Sequence, residues 1–300
     1  MQKDKFVHHA HLHLLVFIGG FTAILGKLIS IDALPLVWYR MGIATVLILA
    51  FLKLKKISAR FTKRTIASFC LVGFVIAMHW ICFFWAIKVS NVSITLAVIS
   101  SGAFFASFLE PIFFKRRIYW YEVFFGIIAI LGLYVIFRIE TEYIAGILLS
   151  LSSAFFGGLF SVVNGKFTQM HNPVAISLYE MLAGFLFISV FLLVTGEFSP
   201  GFFAIPLSDW IYLFILASVC TAYAFIAAVH LMKWISPYTV MLSYNMEPVY
   251  GIILALLFFS ETEQMSPQFY YGALIILSTV IANGLVKRYL ERKNKRIEPS

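Results

Sequence analysis

The sequence predicts an all-α integral membrane protein. Ten transmembrane helices form two inverted five-helix repeats, with the N- and C-termini cytoplasmic. Three observations predict it. The 300-residue chain is 61% hydrophobic and only 12% charged, with a mean hydropathy of +0.93, where a soluble domain carries about 25% charged residues. Apolar stretches of about 20 residues, enough to cross the hydrocarbon of a bilayer, recur ten times. A pattern of glycines and aromatics occurs twice: Gly19-Gly20, Gly26-Lys27 and Tyr39-Arg40-Met41 return as Gly157-Gly158, Gly165-Lys166 and Tyr179-Glu180-Met181.

Each element follows from its apolar run and the polar residues that stop it. Span 1, Leu12–Ser30, follows His8, His9, His11 and His13; it is full length and lacks a small-residue cleavage site, so it reads as a signal anchor. Span 2, Leu34–Leu52, carries Tyr39-Arg40-Met41 and stops at a run of cations beginning with Lys53. Span 3, Ile66–Ile87, holds His79 and Trp80 among phenylalanines. Span 4, Val92–Phe114, contains Glu110-Pro111 and stops at Lys115-Arg116-Arg117, where Glu110 is expected to pair with Arg116 or Arg117. Span 5 is Trp120–Phe137, span 6 Tyr143–Gly165 and span 7 Val174–Val194. Span 8, Trp210–Leu231, carries Cys220 and His230. Span 9, Tyr238–Ser260, carries Ser243, Tyr244, Asn245 and Glu247-Pro248. Span 10 is Phe269–Val286. The first repeat is thus 12–137, the second 143–286, and 287–300 is a basic cytoplasmic tail.

Charge sets the orientation. With the N-terminus inside, 19 of the 23 lysines and arginines fall on the cytoplasmic side, while acids such as Asp32, Asp209, Glu261 and Glu263 fall outside. The net charge of +9 is then a matter of topology and of anionic inner-leaflet lipid. Nucleic-acid binding is excluded, because the cations are split over several loops without interleaved exposed aromatics. Cys70, Cys82 and Cys220 lie within spans, lack CxxC spacing and read as small buried residues.

Five spans per half is an odd number, so the second half enters the membrane from the opposite side. That is the architecture of a secondary transporter, with the solute held between the halves. A basic loop (Lys115-Arg116-Arg117) aligned with an acidic one (Glu261-Thr262-Glu263) is what inversion requires. At the same offset Gly126 meets Gly272.

The chain resembles the drug/metabolite transporter superfamily, in particular permeases with two EamA domains. The resemblance rests on ten spans as five plus five, Tyr39-Arg40-Met41 opening span 2, Glu247-Pro248 inside span 9, and Phe258-Phe259-Ser260-Glu261 before Gly272. It implies a pseudo-symmetric ten-helix bundle with a central cavity and alternating access, often serving export of metabolites or amino acids. Two positions depart from symmetry: Gly102 stands where Pro248 would have its counterpart, and Lys115 stands opposite Glu261.

Ionisable residues within spans are the strongest functional pointers, because an unpaired charge in hydrocarbon is expensive. Arg40 and Glu180 occupy equivalent depths in spans 2 and 7. They are read either as an ion pair locking the halves, or as a substrate site in which Arg40 holds a carboxylate and Glu180 takes an amine or a coupling proton. Tyr39 and Tyr179 flank them. Glu247, beside a helix-breaking proline, is the leading proton-coupling candidate, with Tyr244 and Asn245 as partners. His79 reads as a satisfied interior histidine, and with Trp80 belongs to a candidate aromatic wall.

Gly26-Lys27 and Gly165-Lys166 are not phosphate loops, since the spacing is wrong and no Ser or Thr follows. They read as helix ends, and Gly19-Gly20 and Gly157-Gly158 as sites of close helix approach. The N-terminal histidines lack partners for a metal site. No HExxH, GxSxG or intramembrane Asp pair marks an enzyme. The expectation is a multi-pass inner-membrane carrier without cofactor or metal, working on a small-molecule substrate with coupling protons and with room for a homodimer. The alternatives are extrusion of a lipophilic drug or lipid-linked substrate and, more remotely, a lipid-modifying enzyme.

Overall fold

In the computed structural model, residues 2–115, 117–231, 243–244 and 246–297 are described. Among them there are helices and no strands. Among the described residues nine helical stretches are long and apolar enough to cross a membrane, and a shorter apolar helix, Glu247–Phe258, accompanies them.

The spans run Gln2–Leu28, Ala33–Leu54, Lys63–Val89, then Val92–Ile99 with Gly102–Phe114, then Trp120–Ile139. The second set runs Ile144–Phe167, Pro173–Thr195, Leu207–Leu231, Glu247–Phe258 and Pro267–Ile297. Polar residues at the junctions start the helices. Thr62 accepts from the Thr65 amide at 3.3 Å, Asn91 from the Ile94 amide at 2.8 Å, and Asn172, ahead of Pro173, from the Val174 amide at 3.0 Å. Gly196 ends span 7 at φ 72°, a left-handed cap that suits glycine.

The packing is a set of mirrored pairs. Span 1 lies on span 9 and span 6 on span 4. Spans 1 and 2 lie on span 8, and spans 6 and 7 on span 3. Span 2 crosses span 7, and span 5 crosses span 10. These principal contacts of one repeat have their counterparts in the other, as the duplicated sequence leads one to expect.

The glycine pairs bring helix backbones together. A Cβ on Gly20 would lie 2.8 Å from the Gly251 amide nitrogen and 3.0 Å from the Glu247 carbonyl on span 9. A Cβ on Gly158 would lie 3.0 Å from the Gly102 carbonyl and 3.1 Å from the Ala106 nitrogen on span 4. The duplicated Gly-Gly motif thus performs the same task twice. Gly272 crosses Gly132, whereas its aligned partner Gly126 faces Phe104 and Phe108.

Span 4 has the expected bounds, Val92–Phe114, but is built of two helices, interrupted at Ser100-Ser101. Each serine hydroxyl donates to a carbonyl three residues back, Ser100 to Ala97 at 2.6 Å and Ser101 to Val98 at 2.7 Å. These short-range bonds compete with the regular ladder. Span 9 mirrors the interruption, starting afresh at Glu247 after Met246, with Pro248 in the first turn where its missing N–H costs nothing. Span 10 runs on as helix into the basic tail, to Ile297. Arg116, Asn245 and the Lys233–Tyr238 stretch lie outside the described residues, as does the side chain of His230.

Candidate functional site

Arg40 is 3% exposed on span 2. Its guanidinium stacks over the Trp80 ring of span 3 at 3.8 Å and lies 5.5 Å from Phe84. Its Nε donates to the Thr221 hydroxyl at 2.8 Å. Its Nη1 is buried without a hydrogen-bond partner.

Thr221 sits in a π-helical turn, Ser218–Tyr223, inside span 8. The widened turn lets the Thr221 hydroxyl donate to the Leu216 carbonyl five residues back at 2.8 Å while accepting from Arg40. Insertions of this kind often mark functional sites. Cys220, beside Thr221, lies within electrostatic reach of Arg40.

Glu247 opens the second part of span 9. Its carboxyl lies against span 1, where a Cβ on Gly19 would be 2.9 Å from Cδ and 3.0 Å from Oε2. Arg40 and Tyr244 are within its electrostatic reach. Arg40, Trp80, Thr221 and Glu247 therefore converge between spans 1, 2, 3, 8 and 9.

Glu180 is elsewhere. It is fully buried on span 7, and its Oε2 accepts from the Asn164 side-chain nitrogen of span 6 at 3.2 Å. Glu180 Oε1 and Asn164 Oδ1 have no hydrogen-bond partner. The Arg40–Glu180 ion pair is therefore not formed. Each residue turns to its own neighbours, because equivalence under a pseudo-twofold brings two side chains together only when they lie near the axis.

Tyr39 and Tyr179 reach across the repeats in mirrored fashion. The Tyr39 hydroxyl donates to the Phe202 carbonyl, between spans 7 and 8, at 3.4 Å; that of Tyr179 donates to the Ala59 carbonyl, between spans 2 and 3, at 2.8 Å. Aromatics surround each: Phe202 and Trp210 about Tyr39, Phe61 and Phe69 about Tyr179. The two tyrosines thus pin opposite ends of the bundle rather than the Arg40 centre.

His79 is satisfied, as its sequence context suggested. Its Nδ1–H donates to the Ser153 carbonyl at 2.8 Å, while the Ser153 hydroxyl donates to the His79 carbonyl at 2.9 Å. The ring fills the space beside Gly157, as the Glu247 carboxyl does beside Gly19. Two of the N-terminal histidines meet tyrosines of the second repeat: His11 Nε2 lies 2.8 Å from the Tyr223 hydroxyl, and His13 Nδ1 3.4 Å from that of Tyr250. Among the described residues no group of three His, Cys, Asp or Glu could hold a metal ion.

Sequence reasoning missed the polar junction at the end of span 1. Lys27 does not meet the last carbonyls of its own helix. It pairs with Glu263 at 2.6 Å and donates to Thr262 at 2.7 Å. Glu263, fully buried in the short helix Ser260–Glu263 between spans 9 and 10, also accepts from the Val92 and Ser93 amides at 3.0 and 2.8 Å, so one carboxylate ties that connection to spans 1 and 4. At the same end Asp209 Oδ2 accepts from the Ser30 amide, the Ser30 hydroxyl and the Ile31 amide at 2.9, 2.8 and 3.2 Å, and Lys88 donates to the Ile29 carbonyl. In the sequence both acids stand in short connections and are placed only on the outer side.

Comparison with known proteins agrees with this architecture. The model of the EamA-like transporter family matches residues 11–138 and again residues 144–284. A solved crystal structure superposes with a TM-score of 0.64, covering 94% of this chain and 99% of that chain at 14% identity; at that identity the likeness concerns the fold alone. No curated protein sequence matches the chain.

Proposed function

Because the chain belongs to the EamA-like transporter family, we propose that it is a secondary active transporter that exports a small metabolite, such as an amino acid, by alternating access between its two repeats. It is a multi-pass membrane protein; the excess of cations in the even-to-odd connections and the two tails favours cytoplasmic termini, and we place it in the inner membrane.

The observation that carries the reading is Arg40. A guanidinium that is 3% exposed, fixed by an aromatic platform and a hydroxyl yet with Nη1 unpartnered, is prepared for an anion. Burying a donor without a partner costs about 1–3 kcal/mol, more for a charged group, and a solute carboxylate removes that cost. Glu247, within electrostatic reach of Arg40, offers the opposite charge to an amine on the same solute. Span 4 breaks at Ser100-Ser101, and at the equivalent point of span 9 a helix starts at Glu247; half-helices of this kind are what carriers of this architecture use at the solute site.

The mechanism that follows is rocking of one repeat against the other on the glycine contacts, with Gly20 on Gly251 and Gly158 on Gly102 as pivots. The Lys27–Glu263 junction and the Asp209–Ser30 junction close the end at which span 1 finishes and must part for release there.

Counterflow tests this. Purified protein in liposomes loaded with a mixed amino-acid pool should take up labelled members of one chemical class. Absence of uptake for every amino acid would remove the amino-acid assignment and move the search to lipophilic and lipid-linked solutes.

A further inference from the structure

We propose that Glu180, held by Asn164, is a proton-binding site of its own, separate from the Arg40–Glu247 centre, and that it carries the coupling proton. The inference rests on the transporter reading and deepens it.

The geometry makes the case. Glu180 is fully buried, so water does not solvate a charge on it. Its one hydrogen bond comes from a neutral amide, the Asn164 nitrogen, at 3.2 Å. Two acceptors of the same pair, Glu180 Oε1 and Asn164 Oδ1, lack any donor. A lone ionised carboxylate so placed costs several kcal/mol. One proton on the carboxyl removes the charge and supplies a donor to a pair that holds too many acceptors.

No cation described here meets that carboxyl. Span 7 packs against spans 2, 3 and 8, and Asn164 belongs to span 6. Among the described residues, the titratable groups they carry nearby have other engagements. Arg40 sits on Trp80 and Thr221, with Cys220 beside it. His79 is held by Ser153. On span 7 itself, Tyr179 donates to Ala59. Lys166 of span 6 is exposed.

The site is also placed to act on the bundle. The backbone of Glu180 lies directly against Gly73 of span 3, with the Ala183 methyl beside it. Gly184, one turn on, lies against the Gly73 carbonyl and Met41. Ionising the carboxyl requires water or a cation to reach it, and the packing of span 7 around it must open to admit either. In the cycle the Glu180 O–H bond breaks when water from one side reaches it, the proton leaving to that side as hydronium. The bond re-forms with a proton from the other side. Nothing else is made or broken.

Infrared difference spectroscopy on the purified full-length protein, titrated across neutral pH, tests the site directly. A protonated-carboxyl C=O band is expected in the wild type, present in Glu247→Gln and absent in Glu180→Gln. An unchanged band in Glu180→Gln overturns the proposal. Should Glu180→Gln fail to fold, Glu180→Asp decides: the band must move in frequency, and an unmoved band overturns it. In liposomes, the ratio of amino-acid accumulation with and without an imposed pH gradient should fall to about one in Glu180→Gln, a loss of whatever coupling factor the wild type shows. A ratio equal to that of the wild type overturns the coupling role. If the wild type shows no counterflow for any amino acid, the transport reading fails while the infrared result still judges Glu180.

Discussion

The carboxyl group of Glu247 rests against Gly19, in space that a side chain at position 19 would occupy. A Cβ there would stand 2.9 Å from Cδ. Gly19→Ala should therefore push the carboxyl out of place rather than unfold the bundle, since the far end of a glutamate can turn away. Transport should fall well below the wild type, with stability changed by about 1 kcal/mol or less. Gly20→Ala meets backbone atoms of Gly251 and Glu247, which cannot turn. It should lower stability by about 1–3 kcal/mol. Thermal unfolding in detergent, set beside counterflow rate, separates the two.

Arg40→Lys is not a conservative change. A lysine keeps the charge but loses the planar face over Trp80 and the Nε bond to Thr221. The apparent KM for the counterflowed solute should rise by about tenfold or more, the worth of about 1.4 kcal/mol. Trp80→Leu, which leaves Arg40 in place without its platform, should give a similar change in KM through the lost cation–π contact of about 1–2 kcal/mol.

Glu263→Ala should destabilise the protein far more than Glu261→Ala. Glu263 is buried, pairs with Lys27 and accepts two backbone amides of span 4, so its removal orphans a cation and two donors and should cost about 3–5 kcal/mol. Glu261 is exposed, and its removal should change stability by less than about 0.5 kcal/mol. Equal unfolding temperatures for the two variants would refute the junction.

Tyr179→Phe and Tyr39→Phe form a graded pair. The Tyr179 hydroxyl donates at 2.8 Å, that of Tyr39 at 3.4 Å. Losing the shorter bond should cost about 1 kcal/mol and losing the longer one distinctly less, as read from thermal unfolding of the single variants.

The duplicated Gly19-Gly20 and Gly157-Gly158 disclosed the inverted architecture in the sequence, because glycine at a helix crossing has no substitute and so leaves a visible mark. Arg40 was visible as a buried charge for a similar reason: few charges interrupt the spans. Its partner was not visible. Equivalence of Arg40 and Glu180 suggested a pair, but distance from the pseudo-twofold decides contact, and spacing along the chain does not encode it. Thr221 gained its role from a π turn that no periodicity in Ser218–Tyr223 announces. The interruption of span 4 was hidden because Ser100-Ser101 lies in an otherwise continuous apolar run, with no proline at the position that Pro248 marks in span 9. Glu263 escaped because a carboxylate in a four-residue helical turn after span 9 looks solvated until the start of span 4 and the end of span 1 are brought to it.

The most direct test of the Arg40 centre is the concentration dependence of counterflow in liposomes of equal protein content, wild type beside Arg40→Lys. Saturable uptake by the wild type is expected, with an increase in KM of about tenfold or more in the variant and unfolding temperatures of the two proteins close. Saturable uptake with the same KM in both would contradict this and move the solute site away from Arg40.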